Sequence, residues 1–292
     1  MLILMEGPVD NRRSEDDRVR LVAAAQALGH RVHVFPAGGF LTAAEPALSP
    51  GDFQWGVLYG GGFSRERYQR LHDEARSFNI TLLNDPAQHR DAEEFDRTVG
   101  LLEGLTARTE VVMNVSEVEG ALERLPPPVF VRGAVSSAKE LGWKACVADN
   151  ESEAKTLVTK LLALNDYSRG RALLREVLPL RRIDKMHEGF PLSREYRLFV
   201  LDADVLALGP YWVSEDPFGA LTERDEREIR ELAHEVARRT RVPWLAVDVG
   251  QLESGDWRVI ETADPASSEL AAVNARDLIG GLANGLIQRA GC

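Results

Sequence analysis

The sequence predicts an α/β protein that passes into α+β, with a small N-terminal parallel sheet followed by antiparallel hairpins and helices. Three observations carry that expectation. Over the first hundred residues, short apolar strands alternate with helix signals, the order that builds parallel β-α-β units. Farther along, strand signals come in neighbouring pairs separated by turn residues. A chain of 292 residues also exceeds one ordinary core and suits two or three packed subdomains.

The elements follow in order. Leu2-Ile3-Leu4-Met5 reads as a buried strand, and Ser14 with Asp17 makes a capping-box-like start to a helix that ends at Gly29. Val32–Phe35 and Trp55–Tyr59 are short apolar strands; Gly60-Gly61-Gly62 follows directly, then a helix from about Ser64 to Arg76. Thr81–Leu83 is another strand, Asp85-Pro86 starts a helix, and Phe95, Val99 and Leu102 recur at helical spacing. A second segment opens near Arg108, with strands at Val111–Met113, Val129–Arg132 and Leu173–Val177. Helices are expected from Ser116 to Leu125 and after the Asn150/Glu153 cap. The third segment pairs Glu195–Leu201 with Val205–Tyr211 around Asp202-Ala203-Asp204, and Leu245–Leu252 with Trp257–Thr262. Thr222 and Asp225 begin a helix between the hairpins, and a helix carrying Leu278, Leu282 and Leu286 follows them.

Composition narrows the function. A formal charge of −11 argues against broad attraction to nucleic acid or anionic lipid, and 44% apolar residues argue against disorder. The apolar runs are short for a membrane span, and MLILMEGP lacks the pattern of a secretion signal, so a cytoplasmic protein is expected. Cys146 and Cys292 make no disulfide framework; Cys146 reads as a small buried residue and Cys292 as a loose terminus. The six histidines show no zinc spacing. Basic residues gather between Arg169 and Arg197, which suits a polyphosphate ligand or a solvated loop. The Gly60–Gly62 run reads first as a tight turn and second as a substrate contact.

The most informative stretch is AVDVGQLESGDWRVIET. If Ser254-Gly255 is a two-residue turn, Leu252 faces Trp257, Val249 faces Ile260 and Asp248 faces Glu261. Opposed carboxylates repel, and a hard cation such as magnesium between them relieves the cost. Asp264 lies just beyond the strand and is a candidate third ligand. Two solvated acids at a strand end are the plain alternative. On the neighbouring strand, Glu195 and Arg197 alternate onto one face and are candidates to pair with each other.

From about residue 108 to 280 the chain resembles the ATP-grasp superfamily, and more narrowly its divergent clade with two conserved arginines and a lysine. That clade includes the eukaryotic cell-division-cycle protein that assists assembly of a translation initiation factor. The resemblance rests on VFVRGAVSSAKELGW, on LLREVLPL with EYRLFV, and on VDV…WRVIETADPASSEL. It implies an N-terminal pre-ATP-grasp domain (1–107), a small lid subdomain (108–178) and a large subdomain (179–292). Arg132 and Lys139 would hold ATP phosphates, with Lys144 a secondary candidate, and Glu176, Val177 and Leu178 would form the hinge against adenine. Arg175 and Arg197 would sit near the phosphates, with Arg197 and Lys139 acting on the transferring group; Asp248, Glu261 and Asp264 would bind magnesium. The implied reaction is carboxylate–amine ligation with release of ADP and phosphate, on a small-molecule, peptide or protein acceptor. Two departures stand out: Ala263 occupies a position where many ATP-grasp enzymes keep Asn, and the Gly133–Gly142 loop is poor in glycine. An ATP-binding assembly factor without covalent chemistry is the alternative. The Arg181–Arg194 stretch is expected to be a mobile loop that meets the substrate.

Overall fold

A computed structural model describes residues 1–7, 12–39, 41, 52–213 and 215–290; Cys292 lies outside the described residues. The first elements are β1 (Leu2–Glu6), α1 (Arg12–Ala27), β2 (Arg31–Phe35), β3 (Gln54–Tyr59), α2 (Arg65–Ser77) and β4 (Ile80–Leu82). Their strands form the expected parallel sheet, in the order β2-β1-β3-β4. The backbone is already helical at Arg12, so Ser14 lies inside α1 and not at its start. Gly29, at φ +76°, ends it as expected, with the His30 N–H donating to the Ala25 carbonyl at 2.9 Å. Ser64 caps α2 by accepting from the Arg67 N–H.

Next comes α3 (Pro86–Glu93), opened by a capping box between Asp85 and Gln88. The helix expected through Phe95, Val99 and Leu102 is instead two 3₁₀ turns, Phe95–Arg97 and Val99–Leu102. The backbone leaves the helix at Glu94, and the Phe95 N–H donates across to the Ala134 carbonyl at 2.8 Å. Burial at the three apolar positions is nevertheless as the spacing requires. They share a core with Leu198, Ile229, Val236 and Trp257 of the C-terminal region.

The middle of the chain holds β5 (Thr109–Val112), α4 (Val118–Arg124), β6 (Val129–Gly133), β7 (Val147–Ala148), α5 (Glu151–Ala163), α6 (Asn165–Ser168) and β8 (Ala172–Glu176). The strands make an antiparallel sheet, β5-β8-β6-β7, over a core of Val118, Leu122, Val131, Val158 and Leu174. A 3₁₀ turn at Val115–Glu117 precedes α4, so the helix begins two residues after Ser116.

The Arg181–Arg194 stretch is a hairpin, β9 (Arg182–His187) and β10 (Phe190–Ser193), turned at Glu188 and Gly189 with φ of +48° and +76°. Beyond it lie β11 (Glu195–Leu201), β12 (Asp204–Pro210), α7 (Glu223–Thr240), β13 (Trp244–Gln251), β14 (Trp257–Ala263) and α8 (Ala275–Ala290). This sheet runs β12-β11-β13-β14, all antiparallel. Side chains alternate along β11. Leu198 and Val200 pack under α7, while Phe199 and Leu201 pack against α8 and the N-terminal Ile3, Met5 and Leu21. Each such buried side chain contributes roughly 1.5–3 kcal/mol, which joins the N-terminal sheet firmly to the C-terminal one.

The β13–β14 register departs from the expected alignment and then returns to it. Near the turn, Gln251 pairs with Trp257 and Val249 with Val259, one residue out, because the turn is longer than Ser254-Gly255. The Leu252 N–H donates to the Asp256 carbonyl instead. A bulge then takes up Ile260 as the extra residue, and beyond it Asp248 does face Glu261.

Candidate functional site: a cleft between the two antiparallel sheets

The cleft lies where β6 and β8 meet the edge strand β14, with the β9–β10 hairpin over one end. Arg132, Lys139, Arg175, Glu176, Val177, Leu178 and Glu261, all proposed from the sequence, line it together. Phe130, Trp143, Leu180 and Phe190 supply an apolar wall. Trp143 lies 5.5 Å from the Phe190 ring, and Lys139 Nζ lies 5.4 Å from the Trp212 ring. Nothing local in the sequence marks this aromatic wall. Its members are separated along the chain and converge only because the hairpin folds back on the Gly142–Trp143 turn, where Trp143 N–H donates to the Gly189 carbonyl. Packing this close requires glycine at 142, since a β-carbon there would sit 2.9 Å from the Glu188 carbonyl oxygen.

The charged side chains are held in two pairs. Arg132, at the end of β6, donates to Glu261 on β14, and its other nitrogens reach the carbonyls of Gly133 and Val135 at 3.0 and 2.9 Å. Arg197 on β11 makes a two-pronged pair with Asp248 on β13 at 2.8 and 2.7 Å and donates to the Glu269 carbonyl. It therefore does not pair with Glu195, which instead accepts from the Ser193 hydroxyl at 2.7 Å. Burial pushes the Glu261 carboxyl up, but the charges of Arg132, Lys139 and Arg197 outweigh it and hold the group down at about 2. Burial lowers Arg197, and the Asp248 carboxylate more than offsets it, keeping the guanidinium charged.

Arg175 is turned partly away from the cleft mouth, donating to the Ile260 carbonyl and the Thr106 hydroxyl, both at 2.8 Å. Burial and the like charge of Arg132 press it below the usual arginine range. Phe95 answers that repulsion. Its buried ring lies 5.4 Å from the Arg132 guanidinium and 4.9 Å from that of Arg175, so one quadrupole serves both cations. In sequence Phe95 reads only as an apolar helix position; nothing local marks its partners.

Four proposed residues do not line the cleft: Arg197 and Asp248 lie buried behind Glu261, and Lys144 and Asp264 are placed elsewhere. Lys144 is exposed, pairs with Asp149 at 2.7 Å and does not line the cleft, because the 3₁₀ turn Trp143–Ala145 sends it to the surface. Asp264 is fully buried, and its oxygens are committed: one accepts from Asn84 and His89 at 2.9 Å each, the other from the Ala266 N–H at 2.8 Å. Asn84 also bonds the Trp244 backbone in both directions, and the His89 ring stacks on Tyr68 at 3.7 Å. Asp264 thus ties the N-terminal region to β13 and β14. Among the described residues, no group of three or more His, Cys, Asp or Glu side chains is placed to hold a metal ion. Of the three proposed oxygen donors, Asp248 and Glu261 face each other, and two carboxylates suffice for magnesium when phosphates and water complete its shell.

The cleft thus sets an apolar wall and the Glu176–Leu178 segment beside Arg132, Lys139 and Arg175, with Glu261 opposite. The family model for the ATP-grasp domain of the two-arginine, one-lysine clade, family 3, matches residues 120–282, and the chain belongs to that family. Solved structures agree on the fold. D-alanyl-alanine synthetase A from Vibrio cholerae O1 biovar eltor superposes with a TM-score of 0.66 at 12% identity, covering 99% of both chains. The RimK domain protein ATP-grasp from Sphaerobacter thermophilus gives 0.62 at 15% identity, covering 97% of this chain and 100% of the other. D-cycloserine synthetase DcsG gives 0.63 at 17% identity, covering 98% and 100%. Comparison with curated proteins returns no sequence match. No helix among the described residues is long and apolar enough to cross a membrane.

Proposed function

We propose that the protein is an ATP- and magnesium-dependent carboxylate–amine ligase. The observation that carries this reading is the convergence of Arg132, Lys139, Glu261 and the Glu176–Leu178 hinge on one cleft, with Asp248 facing Glu261 behind it. Structural neighbours named as synthetases support the same class.

In this reading the backbone of Glu176–Leu178 holds the adenine while Arg132 and Lys139 take the phosphates. Asp248 and Glu261 are the residues that would hold magnesium, which when bound neutralises phosphate charge. Arg197, fixed by Asp248 and the Glu269 carbonyl, keeps a positive charge near the reacting group without needing to reorganise. A substrate carboxylate oxygen attacks the γ-phosphorus and the bond to ADP breaks. The acceptor nitrogen then attacks the acyl carbon, phosphate leaves and the nitrogen gives up a proton. Alignment and charge neutralisation carry most of such a transfer. The acceptor is a small molecule, a peptide or a protein tail, and the setting is cytoplasmic.

Calorimetry with a non-hydrolysable ATP analogue tests the reading: magnesium-dependent binding, lost in a folded Glu261→Gln variant, is expected. Equal binding by both proteins with or without magnesium overturns it. One observation favours a second reading, an ATP-binding assembly factor. Ala263 offers no metal-ligating oxygen and Asp264 is committed elsewhere, leaving a lean metal site. ATP binding with no acceptor-dependent ADP release would select that reading.

A further inference from the structure

β12 ends at Pro210, and the next two residues, Tyr211 and Trp212, carry aromatic rings toward the charged pairs of the site. The ladder with β11 sets this up. Arg197 stands opposite Gly209, and the Tyr211 N–H donates to the Glu195 carbonyl at 2.8 Å, extending the pairing one residue past Tyr196 and Pro210. Tyr211 is therefore the diagonal neighbour of Arg197 on the same face of the sheet, a placement within reach of long and aromatic side chains. The position opposite Arg197 has room for glycine alone, since a β-carbon at 209 would sit 2.7 Å from the Val273 nitrogen. With no side chain there, the Tyr211 ring covers the guanidinium instead, 4.7 Å from it. Trp212 braces that ring edge-on at 4.8 Å and itself lies 5.4 Å from Lys139 Nζ.

The hydroxyl of Tyr211 is the unspent group. Arg197 already donates to both oxygens of Asp248 and to the Glu269 carbonyl. Tyr211 has its ring contacts and its backbone bond, but among the described residues its hydroxyl has no hydrogen-bond partner. The phenol is nevertheless close enough to Arg197, Asp248, Glu261 and Glu195 for their charges to act on it. Burial, together with the three carboxylates, pushes the group up against the pull of Arg197, so it is an O–H donor at neutral pH. A neutral donor among committed charges lacks an acceptor. The transferring phosphoryl group brings one, because negative charge spreads over its equatorial oxygens.

We propose that Tyr211 is a further catalytic residue, its ring fixing Arg197 and its hydroxyl donating to an oxygen of the phosphoryl group in transfer. The inference rests on the ligase reading and goes beyond it, adding a neutral donor to a site otherwise built of charges. As the substrate carboxylate attacks phosphorus and the bond to ADP breaks, the phenol keeps its proton and holds one non-bridging oxygen through the step.

The test is calorimetry with ADP and magnesium, alone and with aluminium fluoride, a mimic of the transferring group that needs no acceptor. Wild type is expected to bind the aluminium fluoride complex more tightly than ADP alone. Tyr211→Phe keeps the ring over Arg197 and should weaken that complex about tenfold or more, as losing a hydrogen bond to a charged group does, while ADP affinity stays within about twofold. Tyr211→Leu should lose more, since Arg197 loses its ring as well. Thermal melts check that both variants fold. A Phe variant that binds the aluminium fluoride complex as tightly as wild type, or whose ADP affinity falls by the same factor, would overturn the proposal. Wild type that binds ADP without any gain from aluminium fluoride sinks this inference alone. Failure of folded wild type to bind ADP at all sinks the ligase reading beneath it.

Discussion

Two acidic clusters lie a few residues apart on the same strand end, and they behave differently. At the cleft, Glu261 and Asp248 each hold an arginine, and Glu261 lines the cavity between β8 and β14. At the seam, Asp264 is enclosed by Asn84, His89 and the Ala266 N–H. Acid identity and sequence distance from β14 therefore do not separate a working carboxylate from a structural one. What separates Glu261 from Asp264 is an open face: Glu261 lines the cleft, whereas Asp264 is enclosed, as is Asp248, whose two oxygens are both held by Arg197.

The comparison breaks most visibly at Glu261. Glu261→Gln should lower acceptor-dependent ADP release by roughly 10²–10³-fold, the cost typical of removing one preorganised electrostatic group; coupled-enzyme assays of ADP check this. Asp264→Ala should behave in the opposite way. It strands the His89 ring and the Asn84 amide in the interior, and urea unfolding should show a loss of about 3–5 kcal/mol. Magnesium-dependent binding of the ATP analogue by the folded fraction should stay within about twofold of wild type, since Asp264 bonds Asn84, His89 and Ala266 and is not a supporting partner of Asp248 or Glu261. A collapse of that binding would return Asp264 to the metal site.

The pH response sharpens the contrast. Burial lowers the His89 pKa, but the hydrogen bond and charge of Asp264 outweigh it and raise the group above its ordinary 6.5. A raised folded value means the pair's stabilisation is fully present below 6.5 and lost as pH rises through the higher folded value. Glu261, held at about 2 against an ordinary 4.5, contributes above 4.5 and loses its contribution as pH falls toward 2. His89→Gln should therefore flatten the alkaline side of a stability–pH profile and leave the acid side unchanged. Phe95→Leu should cost less, about 1–2 kcal/mol by denaturation, as two guanidiniums lose a shared ring. Smallest of all, Lys144→Ala should leave ATP-analogue affinity within about twofold, because its partner is an exposed carboxylate.

Much of this is legible in the sequence. Strand–helix alternation marks the parallel sheet, and the order of Arg132, Lys139, Arg175, Arg197, Asp248 and Glu261 picks out residues that the fold gathers on or beside one cleft. The facing of Asp248 and Glu261 follows even from a turn taken as two residues, because the bulge at Ile260 cancels the extra length of the real one. Bulges leave no reliable trace in alternation, since they shift register without changing residue type. Phe95 and Asp264 are opaque for another reason. Their roles depend on partners more than 35 residues away, on Arg132 and Arg175 for one and on Asn84 and His89 for the other. A continuous helix through Phe95 fails likewise, since a hydrogen bond to Ala134 outcompetes the local one.

The central claim is that one cleft between β8 and β14 holds nucleotide and metal together. A crystal structure with a non-hydrolysable ATP analogue and magnesium tests it most directly. Adenine is expected against Glu176–Leu178, phosphates at Arg132 and Lys139, and magnesium between the phosphates and the Asp248–Glu261 pair. A nucleotide ordered elsewhere, or magnesium bound at Asp264 without Glu261, would contradict it.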